Sequence, residues 1–245
     1  MHSRSQFPLF FFAASMFALG VLSLITGDIA LVWEPAPAWV PAHTLLAHAA
    51  GVIMIVGALA LLFPRTRAGA TQILLAYTIV WTLLELPALL TGLLVEVNWL
   101  NLGELTAALA GAWILWATQN PKRAPTLPGA RILFGLSLLP IGLSHFVYHE
   151  AAITFVPTWL PFRGFWATLT GAAHIAAGLG ILFSVLPYLA ATLEAVMLTL
   201  FFALVWVPRL IATPSDLASW RSCWITGIVG AAAWLLAASI APTPP

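Results

Sequence analysis

Charged side chains are scarce in this 245-residue chain: nine lysines and arginines, eight aspartates and glutamates, 7% of all positions. Soluble domains carry about 25% charged and about 45–50% apolar residues, whereas here 62% are hydrophobic. So few charges cannot coat the surface that so much apolar material would present to water. A water-soluble fold is excluded, and lipid is the solvent the composition calls for. Cysteine is almost absent as well. The single Cys223 excludes an intramolecular disulfide and any Cys-x-x-Cys redox or metal pair. No basic run occurs and the net charge is +1, so nothing points to nucleic acid or an acidic partner. Walker and nucleophile-elbow motifs are missing too. Gly178-x-Gly180 follows no strand and so is not a dinucleotide fingerprint.

What the chain does have is apolar length. A hydrocarbon core of about 30 Å takes about 20 apolar residues per helix. That ruler predicts spans near 8–33, 44–63, 70–94, 100–119, 130–148, 165–185, 189–208 and 219–240. The fold class expected is all-α, a polytopic membrane bundle of eight transmembrane helices. The first span is longer than the roughly 7–15 apolar residues of a signal peptide and reads as a retained helix. Breaks fall at turn chemistry: Pro35, Pro37 and Pro41, Pro64-Arg65, Asn120-Pro121-Lys122, and a tight turn at Pro187.

Basic residues set the expected orientation. With the N-terminus cytoplasmic, Arg4, Arg65, Arg67, Lys122, Arg123 and Arg131 lie inside, and Arg163, Arg209 and Arg221 outside. Both termini are then cytoplasmic, in a protein integral to the plasma or inner membrane. Trp33, Trp39, Trp99, Trp159, Trp166, Trp206 and Trp220 fall at the outer ends, as an interfacial aromatic belt does.

The chain also repeats itself. Trp39-Val40-Pro41 recurs as Trp159-Leu160-Pro161, a shift of 120, and Gly51, Ile55, Leu59 and Leu62-Phe63 recur as Gly171, Ile175, Leu179 and Leu182-Phe183. Upstream, Leu19-Gly20 pairs with Phe134-Gly135 if the second copy holds about five extra residues near 150–154. The expected organisation is a first four-helix repeat over 1–120 and a second over 121–245. An even number of spans in each copy inserts both the same way up, as parallel repeats.

The second copy carries a resemblance. Gly142-Leu143-Ser144-His145-Phe146, then Val156-Pro157-Thr158-Trp159-Leu160-Pro161, then a Gly- and Ala-rich helix around His174 resemble the DoxX-like family over about 130–210. In that family a Gly-x-x-His-Phe helix end is followed by a Pro-x-x-Leu-Pro loop. The first half keeps Trp-Val-Pro but not His-Phe. The resemblance implies small four-helix membrane units associated with sulfur oxidation, thiosulfate:quinone oxidoreductases or oxidative-stress complexes. His174 departs from the family pattern by standing where an acidic residue is common.

Ionisable groups in hydrocarbon cost at least about 2.5–3.5 kcal/mol when charged and mark candidate sites. Five stand out: His48, Glu85, His145, His149 and His174. His145 and His149, four apart, are expected on one helix face, with His174 able to add a third nitrogen from the next helix. Metal or haem ligation, hydrogen bonds to quinone carbonyls, and purely structural bonding are the open readings. Glu85, two residues before Pro87, reads as a proton acceptor, or as a helix–helix hydrogen bond or the partner of an arginine. The loop motif Trp159, Pro161 and Arg163 offers a cation for an anionic group, against pairing of Arg163 or Arg209 with Glu34, Glu150 or Asp216. Glu194 is expected to snorkel to the interface or to Arg67. Glu104 and Arg221 are expected to pair across the two halves.

Three functions follow: an accessory or quinone-linked component of a membrane redox system with partner subunits, a small-solute or proton-coupled transporter, or a non-catalytic scaffold. Quinone and haem are the cofactors considered, and no dedicated metal site is expected.

Overall fold

The computed structural model describes residues 6–29 and 41–242, and they form an all-α bundle with eight helices long and apolar enough to cross a membrane. In chain order these are α1 Phe7–Thr26, α2 His43–Leu62, α3 Arg67–Thr91, α4 Glu96–Thr118, α5 Leu127–Val147, α6 His149–Phe155, α7 Arg163–Leu182, α8 Pro187–Phe201, α9 Val207–Ala212 and α10 Leu217–Ile240. The short α6 lies between spans, and a 3-10 turn over Pro121–Thr126 leads into α5. The chain is an integral membrane protein. Below, the near end is where α1 begins and α10 ends, and the far end is opposite.

Local chemistry fixes the ends. α1 stops at Gly27, whose left-handed φ of 66° lets its N–H bond Ser23 O at 3.0 Å. The first span therefore ends seven residues short of the predicted Trp33, which together with Trp39 and Val40 lies outside the described residues. The Pro187 turn is as tight as expected, with Ser184 and Leu186 both at positive φ. Near Pro208 the helix widens into a π-turn over Phe202–Trp206 before continuing as α9. Proline offers no N–H and crowds the carbonyl four residues back, and a wider turn relieves that crowding. Asp216 opens α10 by accepting from Ala218 N at 3.1 Å and Ser219 Oγ at 2.6 Å. The Ser219 hydroxyl holds its carboxyl below the usual carboxylate range.

α4 and α10 are the central pair: 67% of each span is buried, against 22–50% for the other six. They meet where a Cβ on Gly111 would stand 3.0 Å from Ala232 Cβ. Small residues let helices approach this closely, since lipid gives apolar helices no hydrophobic reason to associate. α1 packs on α2 and α10, while α5 packs on α7 and α4. α3 lies between α2 and α4, and α8 between α7 and α10.

The same devices recur along the chain. Ala42 and Phe162, 120 residues apart, both cap the following helix in the left-handed conformation, at φ 50° and 54°. A Cβ on Gly20 would stand 2.7 Å from Gly51 O and 3.0 Å from Met54 Cβ. One on Gly142 would stand 2.7 Å from Gly171 O and 3.0 Å from His174 Cβ. This corrects the pairing of Gly20 with Gly135. Gly142 holds the position that matches Gly20, and Gly135 packs on Gly178 instead. Trp99 and Trp220 each donate to a carbonyl six residues back, Leu93 O at 2.9 Å and Pro214 O at 3.0 Å.

The α5–α7 contact yields a direct test. Gly142→Leu forces side-chain atoms into Gly171 backbone and is expected to lose about 1–3 kcal/mol of stability in detergent, as overpacking does. Gly69→Ala, with nothing within 4 Å, should be neutral or gain up to about 1 kcal/mol in helix propensity. Equal unfolding curves for the two variants would contradict the packing described.

Candidate functional site

Ionisable groups meet inside the second half of the bundle. The buried stripe of α7 runs Ala167, Gly171, His174, Ala177 and Gly178, and Ile181, and that of α8 runs Ala191, Glu194, Ala195 and Leu198. Spacings of three and four put each set on one helix face. The two helices form a hairpin centred on Ser184, and His174 and Glu194 each lie ten residues from it. The hairpin therefore brings them level. At 1.5 Å per residue they sit roughly 12 Å from the near-end turn, close to the middle of a ~30 Å core.

His174 Nδ1 and Glu194 Oε1 are 2.7 Å apart, with side chains 1% and 0% exposed. Glu194 Oε2 is enclosed and has no hydrogen-bond partner. Expectation is corrected here: Glu194 neither snorkels nor reaches Arg67, whose Nε instead bonds Leu61 O at 2.8 Å. A buried imidazole satisfies a carboxylate more directly than an arginine a membrane-half away.

His145 extends the pair toward the far end. Its ring centroid is 5.3 Å from that of His174, and its Nδ1 is 3.2 Å from Thr170 Oγ1. Thr170 Oγ1 lies 2.9 Å from Trp166 O and 3.0 Å from Ala167 O, which accept its hydrogen. Phe201 closes one side, its ring centroid 6.1 Å from His174. Gly171 is the local cause: a Cβ there would stand 2.6 Å from His145 Cβ. Only glycine lets α5 come close enough to set one histidine beside the other.

The remaining predicted residues stand apart. α5 ends at Val147, and His149 begins the separate α6 after the break at Tyr148. The two histidines therefore do not share one helix face, and His149 lies instead beside Gly164 at the start of α7. His48 is exposed on α2, near Gly27. Glu85 is buried on α3 with Thr78, Trp81 and Leu89, in the half built on α2 and α4. In the loop, Trp159 is 68% exposed and Pro161 O accepts from Trp166 Nε1 at 3.0 Å.

Arg163 is committed to backbone. It donates to Ile153 O at 2.6 Å and Val156 O at 3.0 Å, carbonyls where α6 ends, the first of which also accepts from Val156 N at 3.2 Å. Arg209 stacks on Phe155, 4.9 Å from its ring centre. The pairing of Arg163 with Glu150 thus gives way to carbonyl capping, and Glu34 lies outside the described residues. Arg221 meets Asp28 at 3.4 Å, and Asp28 also takes His43 at 3.1 Å. Arg221 does bridge the halves, but through Asp28 rather than Glu104. One oxygen of the buried Glu104 has no hydrogen-bond partner.

Among the described residues no three His, Cys, Asp or Glu side chains gather to hold a metal ion. Haem does not fit between His145 and His174, since rings 5.3 Å apart leave no room for a macrocycle. The arrangement can hold a proton between His174 and Glu194. Two imidazoles, a carboxylate and a hydroxyl lie in one row from mid-membrane toward the far end. Comparisons with protein-family models, with curated proteins and with solved structures find no match.

In the first half, Met54 and Leu74 stand 120 residues before His174 and Glu194, and both are fully buried. Two buried apolar residues thus stand at the positions offset by 120. Glu194→Ala, which strips His174 of its partner, is expected to cost about 1–3 kcal/mol in detergent unfolding. The double change His174→Met, Glu194→Leu should recover most of that loss. A double variant as unstable as the single would contradict the match.

Proposed function

We propose that the protein is a quinone-linked, proton-exchanging component of a membrane redox system, acting at the His174–Glu194 pair. The observation that carries this reading is the placement of that pair, bonded at 2.7 Å and fully buried at mid-membrane. A hydrogen-bonded imidazole and carboxylate share a proton and remain neutral overall, which makes their burial in hydrocarbon affordable. A quinone interconverts with its hydroquinone by taking up or releasing protons along with electrons. It lives in the same lipid, and imidazole and carboxylate are the groups that exchange such protons.

His145 and Thr170, which lie on the far-end side of His174, favour exchange with the far side. With both termini cytoplasmic, that side is the outside of the cell membrane. Electrons would pass to or from a partner subunit, since the pair itself supplies none. The resemblance of 130–210 to DoxX-like proteins favours the same reading, and His174 takes the place of the family's acidic residue. We take 1–120 and 121–245 as two copies of one four-helix unit, a view supported by the matching caps and glycine contacts. The site then belongs to the second copy, because Met54 and Leu74 leave the first without the pair.

Equilibrium binding of a short-chain quinone to the protein in lipid nanodiscs tests the proposal. Wild type is expected to bind, with affinity falling about ten-fold or more in His174→Ala and in the folded double variant His174→Met, Glu194→Leu. Such a loss corresponds to about 1.4 kcal/mol. Binding unchanged in the double variant would contradict the proposal.

A further inference from the structure

On the near-end side of the His174–Glu194 pair, α7 and α8 part into a groove of about 400 Å³. Ala176, Ala177 and Gly180 line it from α7, and Leu189 and Leu193 from α8. Leu189 and Leu193 are 49% and 59% exposed. On membrane spans such side chains face hydrocarbon, so the groove opens to lipid and not to water. Of the residues that line it, Glu194 alone is charged.

That carboxylate is half satisfied. Oε1 is bonded to His174, while Oε2 is enclosed and unmatched. An unmatched acceptor in an apolar medium costs free energy that a donor at the same place removes. With the shared proton on His174, both carboxylate oxygens accept and neither donates, so the missing partner carries an O–H or N–H. The volume lies within the range of small-molecule sites, about 300–1,000 Å³, and the α7 side is floored by small residues that leave room for a ring or chain.

We propose that this groove binds a lipid-soluble molecule with an apolar body and one hydroxyl or N–H donor. The body lies between α7 and α8, and the donor bonds Glu194 Oε2. The inference rests on the reading of the pair as ligand-facing and sharpens it. The hydroxyl-bearing hydroquinone is held more tightly than the quinone, because the carbonyls of the oxidised quinone only accept and would face a second acceptor.

A matched pair of probes tests this: a long-chain 4-alkylphenol and its methyl ether, titrated into nanodiscs holding wild type, Ala176→Leu, Glu194→Gln or His174→Ala. Ala176 is exposed, so Leu fills the groove without disturbing the core, and circular dichroism confirms the fold of each variant. The phenol is expected to bind wild type at least about ten-fold more tightly than the ether, and to lose about ten-fold in Ala176→Leu and in Glu194→Gln. Equal affinity for phenol and ether, or no effect of Ala176→Leu, overturns the groove. If quinone binding still depends on His174 in that case, the functional reading stands and only the groove falls. If quinone binding ignores His174 while the phenol keeps its two losses, the groove stands and the redox reading falls.

Discussion

The close approach of α5 to α7 at Gly142 and Gly171 is the contact on which the polar site depends. Each glycine meets the other's carbonyl, and any side chain at either position would push the helices apart. In lipid no hydrophobic force pulls helices together, so such contacts must come from shape and from hydrogen bonds. Once α5 and α7 touch, His145 lies against His174. The short turn at Phe183–Leu186 then leaves Glu194 little choice but to face His174 across the hairpin. One steric fact and one turn length thus assemble four polar groups from three helices.

The α1–α2 and α5–α7 contacts use the same local devices around different side chains. Matching caps at Ala42 and Phe162 and matching glycine contacts hold α1 on α2 and α5 on α7. In the first half the space beneath the contact is filled by Met54 and Leu74. In the second it holds a histidine and a glutamate. A bundle that packs well with apolar residues at those places has no packing need for ionisable ones, and replacing buried charges by apolar groups is often neutral or stabilising. The pair therefore answers no packing need, which is what the proposed chemistry rests on.

Much of this was legible from the residues. Scarce charge and long apolar runs gave the membrane, the eight spans and most boundaries, because bilayer thickness sets helix length with few alternatives. His145 and His174 were found the same way, as costly groups in apolar surroundings. Glu194 was misplaced because its depth was judged from one helix, although it and His174 each lie ten residues from Ser184 at the centre of the turn, which could have paired them. His149 failed for a local reason: a four-residue spacing implies one face only while the helix continues, and it breaks at Tyr148. Arg163 and Arg221 chose a carbonyl pair and Asp28 through loop geometry, which charge patterns do not encode. The π-turn before Pro208 was equally invisible.

Infrared difference spectroscopy of the protein in lipid, recorded as a hydroquinone is added, addresses the central claim that Glu194 exchanges a proton and a hydrogen bond with a ligand. The account predicts a change in the carboxyl C=O region that vanishes in Glu194→Gln and shifts in His174→Ala. A wild-type spectrum indistinguishable from that of Glu194→Gln would show the pair to be structural and would contradict the account.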